Sequence, residues 1–450
     1  MSMDQERHLI VSVSGIRGIV GKGLTAEQAG AFASALGTHI EGGRVVLSQD
    51  GRPSGAMLRY AIVAGLLETG CEVDDLGAAA TPTCGLAIRM LETAGGIQIT
   101  ASHNPAPWNG LKLFGADGRI FPAADGLKVK RIFDSKSFRR VAWNQLGHVR
   151  QCSQAEDWHR DRVLGLVDVP GIRAKGLRVF LDANGGAGGP LGCRLLDALG
   201  AQPVCQGIEA NGLFAHEPEP IEENLREVCP EVVKHRADIG FVLDPDADRL
   251  ALIDETGRFL GEELTLGLAV LFRLRAEKGP VVINMSTSRA VEDIAARFGV
   301  PCHRSAVGEA NVCDLMQQVG AVIGGEGNGG VIDPRVGFVR DPFIGMGLIL
   351  SLMAETDKKV SELAAGLPAY QIVKDKYQVT PDRLPLLFEQ LEKRWPGVAV
   401  NKRDGLRLDW KDRWIHVRSS NTEPIVRVIA EAPRKEDAQK LCREVGALLA

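Results

Sequence analysis

Val45-Val46-Leu47-Ser48 is a short apolar run that opens into a polar loop, Gln49-Asp50-Gly51-Arg52. A helical pattern follows and ends near Gly70, and a second strand begins at Cys71-Glu72-Val73. Strand, polar loop, amphipathic helix, terminal glycine and strand is the order of a βαβ unit. The order recurs from Val179-Phe180-Leu181-Asp182, through a Gly-rich loop and a helix ending at Gly200, into Pro203-Val204-Cys205. It appears a third time from Val281-Val282-Ile283-Asn284, through a helix ending at Gly299, into Val300-Pro301-Cys302-His303. Three copies predict three similar α/β domains with mixed, largely parallel sheets. Each copy later presents one more apolar strand and a conspicuous loop: 97–99 before Ser102, 239–243 before Asp244, and 321–323 before Glu326. Ligands of open α/β sheets gather beyond the carboxyl ends of strands, so the three loops are expected to face one central cleft. The last stretch differs. Residues 406–410, 414–417 and 425–430 read as antiparallel strands and 435–449 as a closing helix, which predicts a small α+β domain. The expected divisions are 1–148, 149–257, 258–370 and 371–450.

The chain has 450 residues, too many for one core, in keeping with roughly three or four domains. Its net charge of −4 gives no reason to expect nucleic-acid binding, so any phosphate would have to be held by local cationic loops. The nine cysteines are scattered without a Cys-x-x-Cys pair, which predicts reduced thiols in a cytoplasmic protein rather than a disulfide framework or a zinc site. The first residues are polar with no apolar signal core behind them, and no apolar run approaches membrane-spanning length. Oligomeric state is left open between monomer and dimer.

Four loops carry candidate chemistry. In Thr100-Ala101-Ser102-His103-Asn104-Pro105 a small hydroxyl sits just after a buried strand; serine is a weak nucleophile until a base or metal activates it. In Asp244-Pro245-Asp246-Ala247-Asp248-Arg249 three alternating carboxylates can converge, since alternate side chains of an extended stretch share a side. Hard oxygen ligands at short range suit Mg²⁺ or Ca²⁺. An EF-hand would need glycine where Arg249 stands, which argues against that kind of calcium loop. Gly325-Glu326-Gly327-Asn328-Gly329-Gly330 literally matches the dinucleotide pattern G-x-G-x-x-G, but Val331-Ile332-Asp333-Pro334 follows in place of a helix. The glycines more plainly let backbone approach a ligand while Glu326 and Asn328 reach hydroxyls. Arg418, Ser420, Asn421, Thr422 and Arg427 gather two guanidinium groups, hydroxyls and loop amides, a set suited to a phosphate dianion.

In this order the loops resemble those of the α-D-phosphohexomutase superfamily, and the likeness spans nearly the whole chain. Thr100–Pro105 is similar to its phosphoserine loop, Asp244–Arg249 to its metal loop, Glu326 and Asn328 to its sugar-specificity loop, and Arg418–Pro424 to its phosphate loop. Ser14-Gly15-Ile16-Arg17-Gly18 is similar to its N-terminal motif, and Asn109-Gly110-Leu111-Lys112 to the segment with a lysine near the reacting hydroxyl. The resemblance implies four domains around a central cleft and a phosphosugar substrate. It implies that phosphorylated Ser102 gives its phosphoryl group to a sugar phosphate, and that the resulting bisphosphate turns over in the cleft and returns its other phosphate. It further implies one Mg²⁺ on Ser102, Asp244, Asp246 and Asp248, a sugar 1,6-bisphosphate as primer, and Arg249, Gly308, Glu326 and Asn328 at the sugar. Lys112 is the expected general acid or base, its pKa lowered by a neighbouring cation such as Arg17, with His103 beside Ser102 as a further candidate. Many members have Glu-x-Ser-Gly-His where this chain has Glu326-Gly327-Asn328-Gly329-Gly330, so a histidine is missing. This form looks most like the branch read as phosphoglucosamine mutases, which borders phosphomannomutase/phosphoglucomutase. Glucosamine phosphate is therefore the expected substrate, mannose or glucose phosphate the nearest alternative. A catalytically silent sugar-phosphate sensor and a nicotinamide-dependent oxidoreductase are the alternatives of other classes.

Overall fold

Runs without polar alternation, such as Val45-Val46-Leu47 and Ile239–Leu243, become strands buried on both faces. The computed structural model describes residues 9–12, 15–379, 381–419 and 425–449. These residues form four sheets, of seven, four, four and five strands. The first sheet runs in the order Ile10–Ser12, Gly15–Ile19, Trp108–Gly115, Gly95–Ile99, Val45–Gln49, Val73–Ala78, Val149–Gln151. Its last four strands are parallel, while the first three add on antiparallel. The second sheet is Leu250–Asp254, Ile239–Leu243, Arg178–Asp182, Gln202–Gln206, and the third is Cys302–Ser305, Val281–Asn284, Ile323–Glu326, Gly330–Ile332. Each has three parallel strands and one antiparallel edge. All three predicted βαβ units are present. The glycines that close their helices, Gly70, Gly200 and Gly299, take φ of 84°, 80° and 69°, the left-handed turn that ends a helix at low steric cost.

The helix Pro342–Thr356 joins the second and third units. It has no charged side chain before Glu355, and Phe343, Ile344, Leu348, Ile349, Leu350 and Leu352 are all fully buried. Burying each such side chain stabilises the fold by about 1.5–3 kcal/mol. A helix apolar all round belongs inside a core, and here one continuous core takes in both sheets, from Val179 and Phe241 to Ile283 and Ile323. Asp341 caps this helix by accepting from Phe343 N at 2.8 Å. Its other oxygen lies 2.9 Å from His159 Nε2, and His159 Nδ1 lies 2.9 Å from Thr83 Oγ1, a buried polar tie back to the first unit.

The fourth sheet is antiparallel throughout, in the order Gln371–Gln378, Ile425–Ala432, Trp414–Ser419, Leu406–Asp409, Ala399–Asn401. Its two outer strands, 371–378 and 399–401, are not apparent in the sequence. One face packs on the helices Leu384–Arg394 and Lys435–Leu449. The other carries Arg407, Trp414, His416, Arg418 and Glu431 toward the third unit. Ser286 Oγ lies 2.9 Å from His416 Nδ1, Arg289 N donates to Glu431 Oε1 at 3.0 Å, and Val307 N donates to Asp404 Oδ2 at 2.9 Å. The thiol expectation fails for one pair: Cys193 and Cys205 form a disulfide between the helix Gly189–Leu199 and the strand that follows it. The helix–strand turn sets the two residues face to face, which scattered spacing does not reveal. The other seven cysteines are free. No described helix is long and apolar enough to cross a membrane.

Candidate active site

Ser102 follows the strand Gly95–Ile99 on a turn, with φ of +50°. A non-glycine residue holds this conformation only where its surroundings impose it, and here Arg52 does so. Its guanidinium is fully buried and donates to four carbonyl oxygens of the loop: Ser102 at 2.7 Å, Asn104 at 2.6 Å, Pro105 at 2.9 Å and Trp108 at 3.1 Å. Asp50 fixes Arg52 through Nε at 3.0 Å and accepts from Thr100 Oγ1 at 2.7 Å, and Thr100 Oγ1 accepts from Ser102 N at 2.8 Å. Phe214, from the second unit, covers the guanidinium with its ring centroid 5.0 Å away. Asp50 and Arg52 were visible only as a polar loop at a strand end.

The turn delivers Ser102 Oγ to 3.1 Å from Asp244 Oδ2, across 142 residues of sequence. Asp244, Asp246 and Asp248 are fully buried, with ligand oxygens within 4.8 Å of one another. Their convergence comes from a tight turn rather than the expected extended stretch. Ala247 takes φ of +49° and donates to Asp244 O, while Asp244 Oδ1 accepts from the amides of Asp248 and Arg249. Asp246 Oδ1 and Asp248 Oδ1 are buried and receive no hydrogen bond from the described residues. Burial, then Asp248 and Asp246, pushes the Asp244 carboxyl well above its usual range. Three crowded carboxylates with two open oxygens fit a hard divalent cation.

Lys112 lies on the strand Trp108–Gly115, in register with Gly15 and Gln98, and that antiparallel addition to the first sheet carries it into the triad. Its Nζ donates to Asp246 Oδ2 at 2.6 Å and Asp248 Oδ2 at 2.7 Å. The expected lowering of its pKa is not what the geometry gives. Burial does lower it, but Asp246 and Asp248 outweigh burial and leave the ammonium well above its ordinary value. Arg17 instead donates to Asn104 Oδ1 at 2.7 Å, so it braces the Ser102 loop. His103 Nδ1 lies 3.3 Å from Ser102 Oγ and accepts from Arg249 Nη2 at 2.9 Å. Arg249 and then burial hold His103 well below its usual pKa, so the imidazole is neutral near pH 7.

At the sugar loop, residues 325–330 form the end of one strand, a turn and the start of the next, with no helix to receive a dinucleotide phosphate. Gly329 has φ of +82°, and a Cβ there would stand 2.3 Å from Leu250 O; only glycine lets this turn rest on the strand leaving the acidic loop. Glu326 is buried: Oε1 accepts from Asn284 Nδ2 at 2.8 Å and Gly308 N at 3.1 Å, and Oε2 from Arg340 Nη1 at 3.1 Å. Asn328 Oδ1 is buried and open. Arg340, which the sequence reading missed, also donates to Asp248 Oδ2 at 2.5 Å and Glu309 Oε2 at 3.1 Å, cross-bracing the acidic and sugar loops. Its position, two residues before an unbroken apolar helix, was the available signal.

Arg418 and Arg427 stand opposite each other on neighbouring strands of the fourth sheet, and Lys376 stands opposite Arg427 on the next. Like charges in one cross-strand row repel unless an anion sits among them. Arg418 Nε is held by Asp404 Oδ1 at 3.2 Å, leaving the guanidinium's terminal nitrogens for other partners. Ser14, Ser420, Asn421 and Thr422 lie outside the described residues.

The chain matches the four models of phosphoglucomutase/phosphomannomutase: alpha/beta/alpha domain I over residues 8–140, domain II over 158–257, domain III over 263–370 and the C-terminal domain over 354–448. A phosphoglucomutase/phosphomannomutase of Thermococcus kodakarensis is 36% identical over 436 residues, 95% of each chain. A probable phosphoglucosamine mutase of Methanosarcina acetivorans is 35% identical, covering 96% of this chain and 98% of that one. Among solved structures, a phosphoglucomutase/phosphomannomutase family protein from Burkholderia thailandensis superposes with a TM-score of 0.86 at 26% identity, covering 97% of this chain and 96% of that one. The chain belongs to the phosphoglucomutase/phosphomannomutase family and is a phosphohexomutase, an enzyme that moves phosphate between positions of a hexose phosphate.

Proposed function

We propose that the enzyme converts glucosamine 6-phosphate to glucosamine 1-phosphate through a phosphorylated Ser102 and a 1,6-bisphosphorylated sugar, in the cytoplasm. The observation that carries this reading is the 3.1 Å approach of Ser102 Oγ to the buried acidic triad. The sugar is supported by the Glu326–Gly330 form of the specificity loop and by likeness to relatives named probable phosphoglucosamine mutase.

The first half-reaction breaks the Oγ–P bond of phosphoserine and forms a P–O bond to the free hydroxyl of the sugar phosphate. The proton of that hydroxyl leaves, and Ser102 Oγ regains one. We assign this proton exchange to Lys112, buried beside the triad, with neutral His103 next to Ser102 as the second candidate. The bisphosphate then turns over in the cleft, and the second half-reaction runs the same bond changes in reverse at the other position. Arg418 and Arg427, with Ser420, Asn421 and Thr422, hold the phosphate that is not reacting, in either orientation. Glu326 is preorganised by its three donors, and it and Asn328 Oδ1 accept from sugar hydroxyls, with Gly308 and Arg249 lining the same end. One Mg²⁺ per chain, on Asp244, Asp246, Asp248 and an oxygen of the phosphoserine, would supply positive charge beside the transferring group.

Asp246→Asn removes one charged oxygen donor from that set, so the Mg²⁺ concentration for half-maximal rate should rise roughly tenfold or more. An unchanged metal titration would refute this role. The function itself is tested by coupled assays on the 6-phosphates of glucosamine, glucose and mannose after priming with a 1,6-bisphosphate. Glucosamine 6-phosphate should have the highest kcat/KM, and turning over least efficiently would overturn the sugar assignment. Intact mass after priming should show one added phosphate on the peptide containing Ser102.

A further inference from the structure

Glu262 opens the helix Glu262–Ala276 beside the site. Its side chain is nine-tenths buried, yet Oε1 receives no hydrogen bond from the described residues. The guanidinium of Arg249 is near, with Nη1 3.8 Å from Oε1, too far for a hydrogen bond. Arg249 directs its donors elsewhere, Nη2 to His103 Nδ1 at 2.9 Å and Nη1 to Glu219 Oε1 at 3.4 Å. Burial raises the Glu262 carboxyl above its usual range, against the pull of Arg249 and then of Lys374 from the fourth sheet. Cations from the second and fourth units, Arg249 and Lys374, thus act on this carboxylate of the third. A buried anionic oxygen with no donor is unfavourable unless a ligand supplies one.

The acceptors at this end of the cleft differ in what they have left to offer. Glu326 already receives three donors. Asn328 Oδ1 is open but neutral. Glu262 offers an open carboxylate oxygen, and a carboxylate acceptor gains most from a cationic donor. Among hexose phosphates, an amino sugar offers such a donor where glucose and mannose offer only a hydroxyl.

Resting on the phosphoglucosamine reading above, we propose that Glu262 is a specificity-determining residue that accepts a hydrogen bond from the ammonium group of glucosamine phosphate. A carboxylate at a helix N-terminus also stabilises the helix. That role acts equally on every substrate, so it leaves the preference between sugars unchanged.

The test is kcat/KM of the wild-type enzyme and of Glu262→Gln on glucosamine 6-phosphate and glucose 6-phosphate, near neutral pH, where the amine is largely protonated. Glutamine keeps the shape and removes the charge. Both rates come from one preparation, so any loss of folded protein cancels in their ratio. The preference for the amino sugar should fall at least about tenfold in the variant, mostly through KM for glucosamine 6-phosphate. A wild-type preference for glucosamine 6-phosphate that survives in Glu262→Gln within roughly a factor of two overturns this inference and leaves the proposed function standing. A wild-type enzyme that, in the assays on all three 6-phosphates, turns over glucosamine 6-phosphate least efficiently overturns both.

Discussion

Replacing Ser102 with alanine should reduce turnover by roughly four orders of magnitude or more while leaving the fold intact, because no other group can take its place in the covalent step. Among the described residues the hydroxyl's hydrogen-bonding partners are Asp244 Oδ2 and His103 Nδ1, and its removal leaves the loop's own restraints in place. Those restraints run through main-chain atoms: Arg52 to the carbonyl of residue 102, and the amide of residue 102 to Thr100 Oγ1. Alanine can keep both, and at φ of +50° it carries the same Cβ strain as serine. Unfolding stability should therefore change by about 1 kcal/mol or less, the worth of one hydrogen bond. Two measurements together decide the matter. Primed Ser102→Ala should take up no phosphate by intact mass, and its denaturation midpoint should stay near that of the wild type. A variant that retains substantial turnover, or still gains a phosphate, would remove Ser102 from the reaction.

Arg52→Leu should strike both stability and rate. It strips donors from the carbonyls of Ser102, Asn104, Pro105 and Trp108 and leaves Asp50 as a buried carboxylate without its partner. Breaking a buried ion pair by removing one partner costs about 3–5 kcal/mol. Each carbonyl left without a donor adds about 1–3 kcal/mol unless water reaches it, so the total is expected at or above the upper end of the ion-pair figure. Where the variant folds, the Ser102 turn loses the contacts that impose its backbone. The rate constant of the chemical step should then fall by roughly a hundredfold or more, with a smaller change in KM, since a displaced nucleophile is a transition-state defect. Arg52→Lys should fall between the two, because an ammonium has three donors and no planar fork to span four carbonyls. Denaturant unfolding and single-turnover phosphoryl transfer from the primed enzyme read the two effects separately. Wild-type stability and rate in Arg52→Leu would show that the loop is held by other means.

The three βαβ units were legible because the signal is local. An apolar run, a polar loop and a glycine that must turn left-handed all lie within about 30 residues, the span of one such unit. The acidic and serine loops were legible for a related reason: polar chemistry concentrated at strand ends has few structural explanations. The fourth sheet was only partly so. Its central strands are apolar on one face, but Gln371–Gln378 carries charge on both, as an edge strand next to the cleft can. Least visible were the residues that act at a distance. Arg52 and Arg340 reach partners 50 and 92 residues away, and a polar loop at a strand end or an apolar helix two residues on does not reveal what those partners are. The direction of the Lys112 shift was missed because it depends on Asp246 and Asp248, which reach Lys112 from another sheet. His103, already a candidate in the sequence, stands beside the hydroxyl because the left-handed turn at residue 102 folds the imidazole back.

The single interior shared by the second and third sheets bears on how such a chain can diversify. Selection cannot exchange one of those sheets for a cousin's without recutting the buried surface of its neighbour, so the acidic and sugar loops are bound to be inherited as a pair. The fourth sheet keeps an interior of its own and meets the middle through a polar seam, whereas the first sheet has one interior of its own and another that takes in Ala155 and Val339 of the middle units. The fourth sheet is the cassette that recombination can trade most freely, which leaves the phosphate grip easier to import from a relative than the discrimination between sugars.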